Sequence, residues 1–246
     1  MITSLQKQKS DFSWSFPSLY KIGGIAAFLQ LASILTLAIA MAVLGPKPTS
    51  AEAYFMVQQS SKITAVLRGD FLLLILIGLY LGTFPAMVVA LRHINPVYTA
   101  LAMLFTIIAV TGTFATESTF ALLHLGDLYA AAATDVARAQ FLAAGEAVIA
   151  ADMWHSSAAY MGGILLQGSG VIISLIMLRS KDFSKVTAYA GLIGNALDLI
   201  QHLLHPFAPS ISAPIQSFMG VFYLVWFPML GWDLLKLSRN QKVTQS

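Results

Sequence analysis

The fold class follows from residues 22–45, which read IGGIAAFLQLASILTLAIAMAVLG. This stretch contains no Asp, Glu, Lys or Arg and lies between Lys21 and Lys47. The hydrocarbon core of a bilayer is about 30 Å thick, and an α-helix crosses it with roughly 20 apolar residues. The sequence therefore predicts that residues 22–45 form a transmembrane helix.

The composition of the whole chain agrees with this prediction. Of its 246 residues, 57% are hydrophobic and 10% are charged, whereas soluble domains carry about 25% charged residues. The formal net charge of +3 is small, so no nucleic-acid partner is expected, and membrane lipid is the expected partner. The chain has no cysteine, which excludes disulfides, thiolate metal ligands and cysteine nucleophiles.

Five further stretches have the same apolar character, at about residues 71–91, 96–120, 153–178, 186–204 and 214–232. Helices satisfy their own backbone hydrogen bonds in lipid, so each stretch is predicted to be a helix. Residues 127–152 carry apolar positions at helical spacing between charged ones, which predicts an outer amphipathic helix. We therefore predict an all-α fold: a polytopic transmembrane helix bundle of about six spans, forming a single integral membrane domain over residues 1–246.

The basic residues predict the orientation, because cytoplasmic loops of membrane proteins are enriched in Lys and Arg. With the N-terminus inside, ten of the fourteen basic residues face the cytoplasm: Lys7, Lys9, Lys21, Arg92, Arg179, Lys181, Lys185, Lys236, Arg239 and Lys242. The other four face outward: Lys47, Lys62, Arg68 and Arg138. We expect a multi-pass protein of the cell membrane with both termini cytoplasmic.

Ionisable residues inside a predicted span indicate a functional site, because placing them in lipid costs free energy. In the span at 186–204, Asp198, His202 and His205 follow one another at intervals of four and three residues. This spacing places the three side chains on one face of the helix. Asn195 lies one turn earlier and adds a further polar group.

The alternating direction of the spans brings other polar residues to the same depth. The helix at 153–178 runs inward while its two neighbours run outward, so their outer ends meet at one level. Glu117, His124, Asp152 and His155 lie at those ends. The sequence thus predicts a polar pocket near the outer face, with Glu117, His124, Asp152 and Asn195 among its residues.

Three interpretations of this cluster stay open. The polar side chains are interfacial or structural, or they form a small-ligand or proton-handling pocket, or they bind a transition metal. Carboxylate and imidazole ligands suit zinc, and the candidate metal ligands are His155, His202, His205 and Asp198. Zinc would activate water for hydrolysis of a lipid amide or ester, with Asp198 or Glu117 orienting a ligand or serving as base. Enzymatic activity, bound metal, substrate and oligomeric state are left open.

The ending Tyr223-Leu-Val-Trp226-Phe-Pro228-Met-Leu-Gly231-Trp232, the six-span layout and the long Ala-rich outer segment carry one family resemblance. Over most of residues 20–240 the chain resembles an uncharacterised bacterial family of six-helix integral membrane proteins, classed as domain of unknown function 4386. The resemblance implies six helices and a bacterial inner membrane. It supplies no catalytic residues.

Overall fold

The computed structural model describes residues 16–243, and within that range the chain forms eleven α-helices. They are α1 (Pro17–Leu44), α2 (Ala51–Ser60), α3 (Lys62–Arg68), α4 (Phe71–Gly78), α5 (Tyr80–Leu91), α6 (Pro96–Thr116), α7 (Thr119–Ala131), α8 (Asp135–Ala150), α9 (Ser157–Met177), α10 (Lys185–Leu204) and α11 (Pro209–Val243). The all-α prediction is confirmed for this part of the chain. Lys7 and Lys9, assigned to the cytoplasmic side from the sequence, lie outside the described residues.

The long helices pack in chain order as a closed ring. Helix α1 contacts α5, α5 contacts α6, α6 contacts α9, and α10 and α11 follow in turn before α11 returns to α1. The two ends of the described chain therefore meet. The side chain of Gln241 accepts a hydrogen bond from the Phe16 N–H at 3.1 Å, and Ser238 donates one to the Pro17 carbonyl at 2.7 Å. We call this end of the ring the termini face and the opposite end the cap face.

Two successive glycines in α1 allow close contact with two neighbouring helices. A Cβ atom on Gly23 would lie 2.4 Å from the Cβ of Ala86 in α5. One on Gly24 would lie 3.0 Å from the carbonyl oxygen of Gly231 in α11. Small residues let helix backbones approach each other closely inside membranes, and here they do so where the ring closes.

Within the described residues, five helical stretches are long and apolar enough to cross a membrane. They are Pro17–Leu44, Phe71–Leu91, Pro96–Ala131, Ser157–Met177 and Pro209–Gln241. The stretch predicted at 186–204 does form a helix, α10, but it is not one of the five, because polar residues lower its average hydropathy. Length and composition alone thus support a multi-pass membrane protein with five candidate spans.

The polarity of α10 is the reverse of that of a helix on a soluble protein. Its inner face carries Asn195, Asp198 and Gln201, which are 1%, 5% and 3% exposed. Its outward face carries exposed apolar side chains: Val186, Tyr189, Ile193, Ile200 and Leu203. The mean hydropathy of α10 averages over both faces and so hides this separation. The outward surface of α10 is apolar.

Two predicted limits change where the chain reaches the cap face. The span predicted at 96–120 ends at Thr116, because Glu117 adopts an extended conformation with ψ of 130° and α7 begins two residues later. The outer helix predicted at 127–152 is divided between α7 and α8. Ala132 is extended and ends α7, and Thr134 begins α8 by accepting the N–H of Ala137.

Two other spans begin at positions that the sequence did not predict. The span predicted at 153–178 begins at Ser157, because the Asp152 side chain accepts the N–H of Trp154 and holds the preceding residues in a turn. The span predicted at 214–232 begins earlier, at Pro209. Proline suits the first position of a helix, where its missing N–H is not needed.

The short helices α2, α3, α7 and α8 form a second hydrophobic core at the cap face. Its buried centre consists of Ala51, Tyr54, Phe55, Ala65 and Leu122. A hydrogen bond joins two of these helices, since Glu146 of α8 accepts the N–H of Ala51 at the start of α2 at 2.8 Å. The ring therefore carries a compact helical cap over one end.

Candidate functional site

A cavity of about 790 Å³ lies inside the ring and reaches the cap face. Much of its wall is apolar and comes from α1, α4, α9 and α11: Ile34, Leu73, Leu76, Ile77, Leu166, Met219 and Phe227. Its deep end is polar and buried: Gln167, Asp198, Gln201 and Tyr223. Its mouth contains exposed side chains: Trp154, His155, His205 and Phe207. The cavity therefore has an apolar body with polar groups at both ends.

The carboxylate of Asp198 is the centre of the deep end. The hydroxyl of Tyr223 donates to Asp198 Oδ2 at 2.8 Å and lies 3.1 Å from Oε1 of Gln167. Asp198 Oδ1 is buried, and no donor among the described residues is aligned with it. The carboxylate thus has one satisfied oxygen and one oxygen with unused acceptor capacity.

His202 lies beside this carboxylate, one turn further along α10. Its Nδ1 is 3.0 Å from the Asp198 carbonyl oxygen and 3.0 Å from Asp198 Oδ1. Both neighbours are acceptors, so Nδ1 carries the proton, and its N–H is aligned with the carbonyl. The imidazole rests on Gly163 of α9, where a Cβ atom would lie 2.1 Å from the His202 ring.

A charged cluster at the cap face holds the cavity mouth in place. We call it the Asp152 cluster; it consists of Lys47, Asp70, Asp152, Trp154 and His155. The ammonium of Lys47 is 2.6 Å from Asp70 and 3.0 Å from Asp152. The indole N–H of Trp154 donates to Asp70 at 2.9 Å, and Nδ1 of His155 is 2.9 Å from Asp152. The cluster ties the turn before α9 to the ends of α1 and α4.

The electrostatic balance of the Asp152 cluster favours a charged Asp152. Burial raises the pKa of the Asp152 carboxyl, but hydrogen bonds from the Trp154 N–H and the Lys47 ammonium, together with the charge of Lys47 and the contact with His155, outweigh burial. The pKa of Asp152 is therefore below its ordinary value. The folded state gains stability from this ionised group.

Acidification is expected to remove this contribution, and Asp152→Asn should remove the corresponding pH dependence. Because the pKa of Asp152 is lower in the folded chain, its contribution is complete above the unfolded value of about 4 and is lost as the pH falls through the folded value. Unfolding temperatures of the wild type and the variant should differ most near neutral pH and converge in acid. A difference that is constant with pH would contradict this expectation.

The predicted site residues are divided between the cavity and its surroundings. His155, Asp198, His202 and His205 line the cavity. Asp152 lies beside the mouth in its cluster, and Asn195 is buried on α10, with its amide donating to the Gly191 carbonyl at 2.7 Å. Glu117 accepts the N–H of Thr119 at 2.8 Å and so begins α7, and His124 is exposed on α7. Neither Glu117 nor His124 lines the cavity.

The four candidate metal ligands do not form a ligand set. Within residues 16–243, no three or more His, Cys or acidic side chains are grouped closely enough to hold a metal ion. His155 and His202 are each paired with a carboxylate of their own, and His205 is exposed at the mouth. The zinc-dependent hydrolase therefore has no geometric support here.

Several residues of the cavity were not among the predicted ones. Gln167 and Tyr223 lie in the middle of apolar spans, and a polar group at such a position needs a partner inside the bundle. That rule applied to every span would have identified both. Lys47 and Asp70 could not be paired from the sequence, because their common partner Asp152 is more than 80 residues away from each.

The arrangement as a whole is typical of a binding site, and no catalytic set is recognisable among the described residues. The cavity volume is in the range of small-molecule sites, which combine apolar walls with a few placed polar groups. The deep end offers the Asp198 carboxylate and the Tyr223 hydroxyl, and the mouth offers histidine and tryptophan side chains. Comparison of the chain with known protein families, curated proteins and solved structures finds no match.

Proposed function

We propose that this is a six-span protein of the cell membrane whose central cavity binds a small organic molecule with an apolar body and one polar end. The observation that carries the proposal is the cavity itself, in which apolar side chains from α1, α4, α9 and α11 lead to the buried Asp198.

The reversed polarity of α10 supports its assignment as the sixth span. Its exposed side is apolar, and its polar residues face the ring interior. Such a helix would present a hydrophobic surface to water but a compatible one to lipid, where polar groups face the bundle interior. The position of α10 between α9 and α11 in the closed ring agrees with this assignment.

The charge distribution supports an orientation with the termini face in the cytoplasm. Eight described basic residues lie at that face: Lys21, Arg92, Arg179, Lys181, Lys185, Lys236, Arg239 and Lys242. Four lie in the cap: Lys47, Lys62, Arg68 and Arg138. Positive charge concentrates on the cytoplasmic side of membrane proteins, so the cap and the cavity mouth face outward in this proposal.

Labelling of single cysteines should test this orientation directly, because the chain has no native cysteine. Ala133 is exposed in the cap, and Lys181 is exposed at the termini face. We expect a membrane-impermeant maleimide to label Ala133→Cys on intact cells, whereas Lys181→Cys should react only after permeabilisation. The opposite pattern would reverse the orientation, and equal labelling of both in intact cells would contradict a sealed multi-pass topology.

Filling the cavity should abolish binding. Gly220 lines the cavity, and a Cβ atom placed there meets no other atom within 4 Å, so a larger side chain extends into the empty space. In purified protein we expect adamantyl alcohol, a compact apolar cage with one hydroxyl, to raise the unfolding temperature of the wild type. Gly220→Leu should lose this response.

Gly168→Leu is the matched control. Gly168 also has open space around its Cβ position but does not line the cavity. The control should respond to the alcohol like the wild type. An equal response of all three proteins would place the alcohol on the outer surface or in detergent and would overturn the proposed binding site.

A further inference from the structure

We infer that the molecule bound in the cavity is a cation, an organic ammonium with an apolar body whose charged end lies at Asp198. This inference rests on the proposed function and specifies its ligand class. The juxtaposition that carries it is the buried Asp198 carboxylate at the deep end of an apolar cavity whose lining contains no lysine or arginine.

The charges of the cavity lining point to a cationic ligand. Among the lining residues, Asp198 is the one carboxylate, and the basic side chains are the imidazoles of His155, His202 and His205, with no lysine or arginine. The nearest group with a proton to share is the His202 ring, whose Nδ1–H is aligned with the Asp198 carbonyl instead. A buried carboxylate requires compensation by a positive charge or by hydrogen bonds, and a ligand in the cavity that Asp198 lines would add both.

The other polar atoms at the deep end also match a donor. The carboxylate of Asp198 and the amide oxygens of Gln167 and Gln201 are acceptor groups in the lining of the deep end. An ammonium group carries several N–H donors and no acceptor. A carboxylate ligand, by contrast, would meet the carboxylate of Asp198 without a lysine or arginine in the lining to offset the repulsion.

Aromatic rings add a further contribution on the same side of the cavity. Tyr80, Tyr223 and Phe227 all line it, and their rings pack against one another, with Tyr80 and Tyr223 each beside Phe227 at centroid distances of 6.2 Å and 5.6 Å. The faces of aromatic rings attract cations, most strongly where water is excluded. An ammonium at Asp198 therefore has a suitable aromatic environment for its adjoining carbon atoms.

Three probes with one apolar cage separate charge from shape: adamantyl amine in its ammonium form, adamantyl alcohol and adamantyl carboxylate. Dissociation constants are measured on the full-length protein in detergent from the concentration dependence of the unfolding temperature. We expect the ammonium to bind about tenfold more tightly than the alcohol, as a charge-assisted hydrogen bond would provide. The carboxylate should bind more weakly than the alcohol.

The possible rankings distinguish the two proposals. If the alcohol binds as tightly as the ammonium and Gly220→Leu abolishes both, the binding site stands and the cationic ligand class is overturned. A carboxylate that binds most tightly also overturns it. If none of the three binds to the wild type, the proposed function fails together with this inference.

Asp198→Asn tests the assigned contact. The amide keeps the size of the side chain and removes its charge, so the preference for the ammonium over the alcohol should disappear. A cooperative unfolding transition close to that of the wild type without any probe shows that the variant is folded. If Asp198→Asn does not fold, the ranking of the three probes on the wild type decides the inference by itself, because the probes differ only in the polar group.

Discussion

Lys47→Met is expected to lower the free energy of unfolding by about 3 kcal/mol, because it leaves two buried carboxylates without their shared cation. Asp70 and Asp152 are 5% and 1% exposed, and both contact the same ammonium. Methionine preserves much of the length and apolar surface of the lysine stem, so the loss is mainly electrostatic. A reversible unfolding titration in mixed micelles measures the difference.

Lys62→Met is the matched control for this prediction. Lys62 forms an ion pair with Asp127 at 2.7 Å, but both side chains are more than half exposed. Exposed pairs contribute about 0–1 kcal/mol, so the control should unfold close to the wild type. If both variants lost the same stability, the Asp152 cluster would have no special role in holding the cavity mouth.

Gly24→Val should be comparably damaging for a steric reason. A Cβ atom at position 24 would lie 2.8 Å from Leu235 and 3.0 Å from the Gly231 carbonyl oxygen. The leucine side chain can move, but the backbone of α11 moves only if the two helices separate. Inserting side-chain atoms into a packed interface costs about 1–3 kcal/mol, and the branched valine should produce a loss near the upper end of that range.

Gly168→Val controls for the insertion of a β-branched residue into a helix. A Cβ atom at this position meets nothing within 4 Å, so the control tests the helix propensity alone. The titration should show a clearly larger loss for Gly24→Val than for Gly168→Val. Equal losses would mean that close contact between α1 and α11 does not stabilise the closed ring.

The helices could be predicted well from the sequence because each depends mainly on its own apolar residues. The run at 22–45 corresponds to α1, and the run at 71–91 corresponds to α4 and α5 together. The cap was predicted only in part. Its helices are held by contacts between positions far apart in the sequence, such as that of Glu146 with the Ala51 N–H. Such contacts cannot be predicted from the periodicity of one segment.

From the sequence one could predict which site residues lie at the same depth in the bundle, but not which of them contact one another. His155, Asp198 and His202 line one cavity, and their position along the helices was accessible from span direction. Glu117 lies at the same end of the ring, the cap face, but its side chain accepts the N–H of Thr119, because this backbone donor is only two residues away. Which side chains reach the cavity depends on the rotation of each helix, on local capping and on the pairing of His155 and His202 with a neighbouring acid.

The reversed polarity of α10 has a consequence for how the protein is assembled during synthesis. Before α11 is present, α10 would have Asn195, Asp198 and Gln201 without their covering helix, and a helix with such uncovered polar groups partitions poorly into lipid. Stable integration as a span would then depend on α11 following it out of the insertion machinery and covering Asp198 with the Tyr223 hydroxyl. A nascent chain ending between the two helices would leave its last segment outside the membrane, exposed to quality-control proteases.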